Sequence, residues 1–381
     1  ATYGVTNGTT AGRTGSCDRA YFDDAPAPDT AANEAFLSNL VVDTWTKVPT
    51  PPRCSKSDRS WSTLAYDPGK DVLIKWGGGH GTVFNNDVTE YSPRSNQWHE
   101  GYSRETPLNF QGGISVPFPF TFNSRPFLSG HTYGYYRFDA WTKRMIFVGN
   151  KYTYFYDLTR MDWDTTQTMK HNPTFGSGFA PGHGRFVAST SHGAVLWTAH
   201  PALGNGRFGL FLMDSASLQW KPLPMMGDTL PSFWENYGSA VYDSKRDRLL
   251  LVSPKTSSNN SPQTKVGQMW SYSFADGRVV SLNPSSSSSL IVDADNYAKF
   301  AVPSTRESVY LPRQDAVLFS AMPDKQSFLL YDCASNEWRK KTVAAGPGVS
   351  LTDGQMEGAN CGWAYDSNRD LIWSNGNFND K

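Results

Sequence analysis

Short runs of alternating apolar and polar residues recur along the chain, each broken by a polar turn. WSTLAY (61–66) leads into Asp67, and VLIKWGGG (72–79) follows Asp71. GSAVY (238–242) and RLLLVS (248–253) flank Asp243 and Asp247 in the same way. CGWAY (361–365) and LIWSNG (371–376) flank Asp366 and Asp370. Phe138-Asp139 followed by Lys143, and Leu311 followed by Asp315, are degenerate copies. Strand-like runs on both sides of a turn rich in Asp, Gly and Ser predict antiparallel hairpins. After each hairpin an apolar residue is followed seven positions later by Trp: Tyr91 to Trp98, Tyr156 to Trp163, Met213 to Trp220, Tyr331 to Trp338. Tyr272 to Val279 keeps the place and loses the Trp. This is a second hairpin, whose Trp can pack on the neighbouring sheet.

Two hairpins make a four-stranded sheet, the unit of a propeller blade. The pattern predicts an all-β propeller in one domain, 1–381. Blades begin near Trp61, His131, Phe179, Tyr237, Ser308 and Cys361, which gives six. A seventh has room in 104–130 or 284–307. The last blade lacks its outer strands, and NLVVDTWTKVP, around Trp45, reads as strand, turn and strand able to supply them. Such closure would leave no open sheet edge. Residues 1–36 then form an N-terminal extension, and 101–129 an aromatic, proline-rich insertion between blades. The serine run 285–289 reads as a solvated loop.

The 33 Gly, 24 Pro and 14% aromatic content fit many short strands joined by tight turns. Lys plus Arg and Asp plus Glu are both 35, so there is no basic excess for nucleic acid. No apolar run is long enough to span a membrane. Cys17, Cys54, Cys333 and Cys361 form no close pair of zinc-ribbon type. Two disulfides in a secreted, extracellular, monomeric protein are the expectation, most simply Cys17–Cys54 and Cys333–Cys361, with four buried thiols as the alternative. Asn7 and Asn259 lie in glycosylation patterns that are common by chance.

Strands alternate direction within a blade. The loop entering the first strand and the loop joining the second to the third therefore emerge at one end of the ring. His80 falls there, and so do His131 with Tyr133, and His183 with Arg185. Trp234, Glu235, Asn236 and Tyr237 open the fourth blade, Glu357 and Asn360 the sixth, and Arg125 ends the aromatic insertion. Three of seven histidines in channel loops are the main functional signal. Each alone also fits a plain structural role. A three-histidine zinc site is a rival reading, although no metal or other cofactor is required and a structural calcium or zinc ion stays open.

No G-x-S-x-G elbow or sialidase-type Asp-box is present. The only carboxylates in the set, Glu235 and Glu357, open non-adjacent blades, which suits glycoside hydrolysis poorly. Histidine, tyrosine and arginine suit elimination next to a carboxylate. A donor steadies the enolate-like charge of a uronate, a base takes the C5 proton, and an acid protonates the leaving oxygen.

GGGHG (77–81), followed at the next blade by GHTYGYY (130–136), resembles the kelch-like propeller polysaccharide lyases, such as ulvan and rhamnose–glucuronate lyases. The resemblance implies that His80 and His131 form a histidine pair that neutralises the carboxylate or moves protons. It departs in the inserted residues 101–129, in six blades against those lyases' seven, and in PGHGRF (181–186), where a tyrosine is expected. The resulting expectation is a lyase acting on an acidic polysaccharide or oligosaccharide. His80 and His131 would hold the carboxylate, and Tyr133 or His183 would serve as base and acid. Arg185 and Arg125 would bind charge, and Trp234 and Tyr237 would stack on sugar. A non-catalytic carbohydrate- or protein-binding kelch propeller is the alternative. A copper oxidase of the kelch type would need a free Cys, which the expected disulfides deny.

Overall fold

In the computed structural model the structure describes residues 27–49, 51, 62–77, 86–102, 105, 123–126, 132–149, 152–167, 169–170, 184–199, 203, 207–230, 239–253, 268–286, 308–321, 327–347, 349 and 362–374. These residues form an all-β propeller of five blades, each built of four antiparallel strands. The first blade is Ala65–Asp67, Val72–Lys75, Thr89–Ser92 and Gln97–Glu100. The second is Tyr136–Asp139, Arg144–Val148, Tyr152–Asp157 and Asp162–Trp163. The third is Gly184–Ser189, Gly193–Ala199, Phe208–Met213 and Trp220–Pro222. The fourth is Ser239–Asp243, Arg248–Ser253, Gln268–Ser273 and Arg278–Leu282, and the fifth is Ser308–Leu311, Ala316–Ala321, Ser327–Asp332 and Glu337–Thr342. Trp363–Asp366 and Leu371–Ser374 pair as a sheet of two strands, so the expected sixth full blade is not formed among the described residues. The first strand of this small sheet lies between those of the fifth and first blades.

The repeated Tyr-Asp turn has a physical explanation. Asp71, Asp247, Asp315 and Asp370 all adopt positive φ, the left-handed conformation that Asp and Asn tolerate. Each accepts a hydrogen bond from the tyrosine five residues earlier. Tyr66 to Asp71 is 2.8 Å, Tyr242 to Asp247 2.7 Å, and Tyr365 to Asp370 2.7 Å, while Tyr310 to Asp315 is longer at 3.4 Å. The second hairpin repeats the device with Asn: Tyr91 to Asn96 is 2.7 Å and Tyr331 to Asn336 2.8 Å. The Asp that follows the tyrosine caps the turn from inside, as Asp67 does with the Gly69 N–H and Asp366 with the Asn368 and Arg369 N–H groups.

Apolar clusters fill each junction around the ring. Trp76, Tyr136, Phe147 and Trp163 join the first and second blades. Ile146, Phe186 and Phe211 join the second and third, and Trp197, Leu249 and Trp270 the third and fourth. Tyr310, Tyr331 and Trp338 serve the fourth and fifth. Trp363 and Phe328 serve the next junction, and Leu64, Tyr91 and Trp373 the last. Of the Trp residues seven places after an apolar partner, Trp163 packs on Trp76 of the first blade and Trp220 packs on the second blade, with its indole donating to Thr153 Oγ1, so the expected packing between blades is seen at these two seams.

A polar latch also crosses every junction at the turn end. Lys70 donates to the Leu158 carbonyl at 2.6 Å, and the Trp141 indole to the Thr190 carbonyl at 3.2 Å. His192 meets Asp247 at 2.6 Å, and Arg313 meets Asp370 at 3.4 Å. Arg246 holds Asp315 through two bonds of 2.7 Å. Arg369 holds Asp71 through two of 2.6 Å and also reaches Asp366 at 3.0 Å and Glu34 at 2.7 Å. Arg369 thus ties the last sheet to the first blade and to an N-terminal helix, Thr30–Ser38. Asp29 caps that helix, and Leu37 enters the closing core. Backbone contact is also close at this seam: a Cβ on Gly362 would sit 2.1 Å from Leu64 N.

Three further expectations meet the structure here. The N-terminal strand is Thr44–Trp45, and it pairs in parallel with Ala344–Ala345 rather than with the last sheet. Within the serine run, Ser285–Ser286 form a short strand beside Glu337–Trp338, because the connector leaving the fourth blade follows the outer edge of the fifth. Cys333 is a free, buried thiol, not half of a disulfide with Cys361. It sits in the core with Tyr331 and Trp338, and burial pushes its pKa up to about 12. Cys17, Cys54 and Cys361, like Asn7 and Asn259, lie outside the described residues. No described helix is long and apolar enough to cross a membrane.

Candidate functional site

The first strands of all the sheets surround a central cavity of about 310 Å³. Aligned on the turn tyrosines, its wall is layered. One layer is Tyr66, Phe138, Ala188, Tyr242, Tyr310 and Tyr365. Beyond it, at the turn end, the rim is Pro68, Ala140, Thr190, Ser244, Pro312 and Ser367, all exposed and none charged. The tyrosine hydroxyls are spent on their own turn aspartates. Burial first raises the pKa of both Tyr66 and Tyr365; next come the carboxylates of Asp366 and then Asp71 for Tyr66, and that of Asp370 for Tyr365. They are donors in this fold, not bases.

On the other side of the tyrosine layer lie Ala65, Arg137, Val187, Val241, Val309 and Ala364. Five repeats carry Ala or Val in this slot, and one carries Arg. The Arg137 guanidinium donates from Nη1 to Thr63 Oγ1 at 2.6 Å and to the Tyr136 carbonyl at 3.1 Å. Among the described lining residues it is the only charged one.

At the loop end the structure joins the flanks of two motif segments. Gly77, the first glycine of GGGHG, has φ +67, and a Cβ there would lie 2.3 Å from Thr132 Cγ2. Thr132 is fully buried and immediately follows His131. Its hydroxyl donates to the Trp76 carbonyl at 3.4 Å. Tyr136 tightens the same seam: its hydroxyl accepts the Trp76 N–H at 3.1 Å, donates to the Thr63 carbonyl, and lies 2.9 Å from Ser62 Oγ. Glycine at 77 is therefore required twice, for its left-handed backbone and for the approach of Thr132.

Of the expected site residues, His80, His131, His183, Trp234, Glu235, Asn236, Tyr237, Glu357 and Asn360 lie outside the described residues. Tyr133 opens a single 3-10 turn, Tyr133–Tyr135, at the start of the second blade. Arg185 lies on the first strand of the third blade, opposite Trp197. Arg125 is described in full and is committed elsewhere. It grips Asp162 through Nε at 2.7 Å and Nη2 at 2.8 Å, bonds Glu105, and lies 3.9 Å over the Tyr102 ring. With two carboxylates already on it, Arg125 anchors the insertion to the second blade and is poorly placed to take a substrate's charge. No group of His, Cys, Asp and Glu able to hold a metal occurs among the described residues.

Sequence reading missed Arg137 and the latch arginines. Arg137 would have emerged from aligning the residue before each turn tyrosine. Arg246 and Arg369 share a fixed place, four residues after the tyrosine.

No family model and no curated protein matches the chain. Among solved structures it is similar to the crystal structure of TolB from Acinetobacter baumannii, at 11% identity and a TM-score of 0.37. The match covers 74% of this chain and 52% of TolB, so the chain spans about half the length of that protein.

Proposed function

We propose that the protein is an extracellular lyase that cleaves an acidic, uronate-containing polysaccharide by β-elimination at the loop end of the channel. The observation that carries this reading is the contact between Gly77 and Thr132. It joins the flanks of two segments that are far apart in sequence, one leading to His80 three residues on and the other following His131 directly. A histidine pair can hold the uronate carboxylate and lower the pKa of the C5 proton. A base, His183 or Tyr133, takes that proton. The electron pair forms the C4–C5 double bond as the C4–O bond breaks, and an acid returns a proton to the leaving oxygen. Incubation with a panel of uronate polysaccharides tests this through the ultraviolet absorbance of the unsaturated uronate. A rise that disappears in a folded His131→Ala variant is the expected result.

A non-catalytic carbohydrate-binding propeller is the second reading. It is favoured by the channel wall, where the described tyrosines are held as donors and apolar side chains predominate. Sugar binding without product would select it.

We further propose that Thr44–Trp45 fills the fourth-strand place of a sixth blade begun by the last sheet. Three connectors support this by pairing alike. Met226 N bonds the Gly277 carbonyl at 2.9 Å, Ser285 N that of Asn336 at 3.0 Å, and Ala344 N that of Asp43 at 2.9 Å. Gly277, Asn336 and Asp43 all have positive φ, and each leads into its strand. Trp45 then packs on Phe328 and Trp363, as Trp338 packs on Phe319 and Tyr331.

A further inference from the structure

We propose that the seam between the second and third blades carries a binding site for a guanidinium group, formed at the turn end by Asp139, Trp141 and the space beside Gly193. The site is independent of the lyase reading, which concerns the loop end.

Two other seams show what this one lacks. Arg246 stands three residues after Asp243, bonds it at 3.1 Å and crosses to Asp315 of the fifth blade at 2.7 Å. Arg369 stands three residues after Asp366, bonds it at 3.0 Å and crosses to Asp71 of the first blade at 2.6 Å. The second blade keeps the aspartate, as Asp139, but has Thr142 in the arginine's place. Across the seam the left-handed turn position held by Asp315 and Asp71 is Gly193, with φ +88. Thr142 serves only one oxygen: its N–H and its hydroxyl both donate to Asp139 Oδ2, at 2.9 and 2.7 Å. Asp139 Oδ1 has no hydrogen-bond partner, although the residue is only 1% exposed. A second cation is also turned away. Arg144 pairs with Asp139 across the hairpin, as Arg248 does with Asp243. Arg248 bonds its aspartate at 2.9 Å, whereas Arg144 bonds Gln167 and meets Asp164 at 3.5 Å. A buried carboxylate oxygen without a donor is costly to keep. The repeats themselves identify the group that meets it, a guanidinium.

The surroundings suit such a head group. A Cβ on Gly193 would lie 3.5 Å from Asp139 Oδ1 and 3.5 Å from Trp141 Cγ, so the carboxylate and the indole border the same space. Trp141 is 53% exposed and donates from Nε1 to the Thr190 carbonyl at 3.2 Å. That neutral bond is weaker than the charged pairs of Arg246 and Arg369, so the indole can swing aside without opening the ring. The guanidinium then bonds Oδ1, and the ring face lies against it. One carboxylate faces the space, which fits a single positive charge.

Titration calorimetry with butylguanidinium, and with butylurea as its neutral counterpart, tests the proposal. Wild-type protein should bind butylguanidinium and take butylurea roughly tenfold or more weakly. Asp139→Asn, which keeps an acceptor for Thr142, should lose roughly tenfold or more in butylguanidinium affinity. Thr142→Arg supplies the cation from the chain itself. It should raise Tm and abolish butylguanidinium binding, which covers the case in which Asp139→Asn does not fold. The indole N–H resonance of Trp141, identified by its loss in Trp141→Phe, should shift as the wild-type protein is titrated. A blocked Gly-Arg-Gly tripeptide distinguishes the source of the head group: tighter binding than butylguanidinium assigns it to an arginine of a protein partner, and weaker binding to a free guanidino compound. Wild-type protein that ignores both guanidinium probes, an unmoved Trp141 resonance, an Asp139→Asn variant that keeps its affinity, or a Thr142→Arg variant that binds as before would each overturn the site.

Discussion

At the turn end of the ring the connections are short and nearly uniform, from 68–71 in the first blade to 367–370 in the last sheet. At the loop end they are not: the second and third strands are joined by 149–151 in the second blade and by 254–267 in the fourth. The turn end repeats one chemistry, a tyrosine bonded to a left-handed Asp and a latch to the next blade. The loop end has the close approach of Gly77 to Thr132 at one seam, and its connections vary in length from blade to blade. The difference separates two jobs. Uniform turns close the ring and frame the mouth of the channel. Variable loops are where a rigid scaffold can carry chemistry. Gly77 and Thr132, which flank two of the histidine segments, fall at the variable end, and the arginine latches at the uniform one.

The latches themselves differ, and that difference can be tested. Arg369 is largely enclosed and bonds three carboxylates, Asp366 of its own sheet and Asp71 and Glu34 across the closing seam. Arg369→Ala should cost about 3 kcal/mol or more in urea unfolding, because it leaves Asp71 and Asp366 without their cation. Arg313, 75% exposed, makes a single pair with Asp370 at 3.4 Å, so Arg313→Ala should cost less than about 0.5 kcal/mol. Equal losses would mean that ring closure does not depend on the Arg369 clasp.

Acid sharpens the same contrast. Arg369, above all, holds the Asp71 carboxyl below its usual range, against the opposing effect of burial. A depressed folded pKa gives stability that is complete above the unfolded value, about 4, and is lost as pH falls through the folded value. Wild-type stability should therefore drop more steeply on acidification below about pH 4 than that of Arg369→Ala. Parallel acid profiles would contradict the assignment of Asp71 to this clasp.

At the loop end, Gly77→Ala should cost about 2 kcal/mol, since it adds a Cβ at positive φ against Thr132. A Gly77→Ala/Thr132→Ala double variant should recover part of that loss, and strict additivity would deny the contact. The smallest effects concern single turn bonds. Tyr365→Phe, which removes a 2.7 Å bond, should cost about 1 kcal/mol. Tyr310→Phe, which removes one of 3.4 Å, should cost measurably less in the same thermal or urea melts.

Much of the turn end was legible in the sequence. Tyr-Asp at one end of the turn and Asp five residues after the Tyr encode a local conformation, and local conformations leave a local pattern. The Trp seven residues after an apolar partner marks the outer hairpin for the same reason. What escaped reading depends on contacts between repeats. Nothing near Arg369 names Glu34 or Asp71 as its partners, because they lie some 300 residues away and the ring must close before they meet. Arg125 reads as a spare cation until Asp162 and Glu105 stand beside it. Cys333 pairs with Cys361 on paper, yet it is a free thiol buried beside Tyr331 and Trp338. The helix Thr30–Ser38 was hidden in what reads as a plain extension, since it is short and only Leu37 of it is fully buried. At the candidate site, His80 and His131 remain expectations of the sequence outside the described residues, while Arg137 shows only when the first strands are laid side by side.

The most direct test of the lyase reading is the ultraviolet absorbance of purified protein mixed with each of a set of uronate polysaccharides, run beside His131→Ala and Arg369→Ala. The account predicts a rise on at least one polymer. That rise should be abolished in folded His131→Ala and kept by Arg369→Ala under conditions where it stays folded, because the two residues serve opposite ends of the ring. A flat trace on every polymer with folded wild-type protein, or an unchanged rise in His131→Ala, would contradict it.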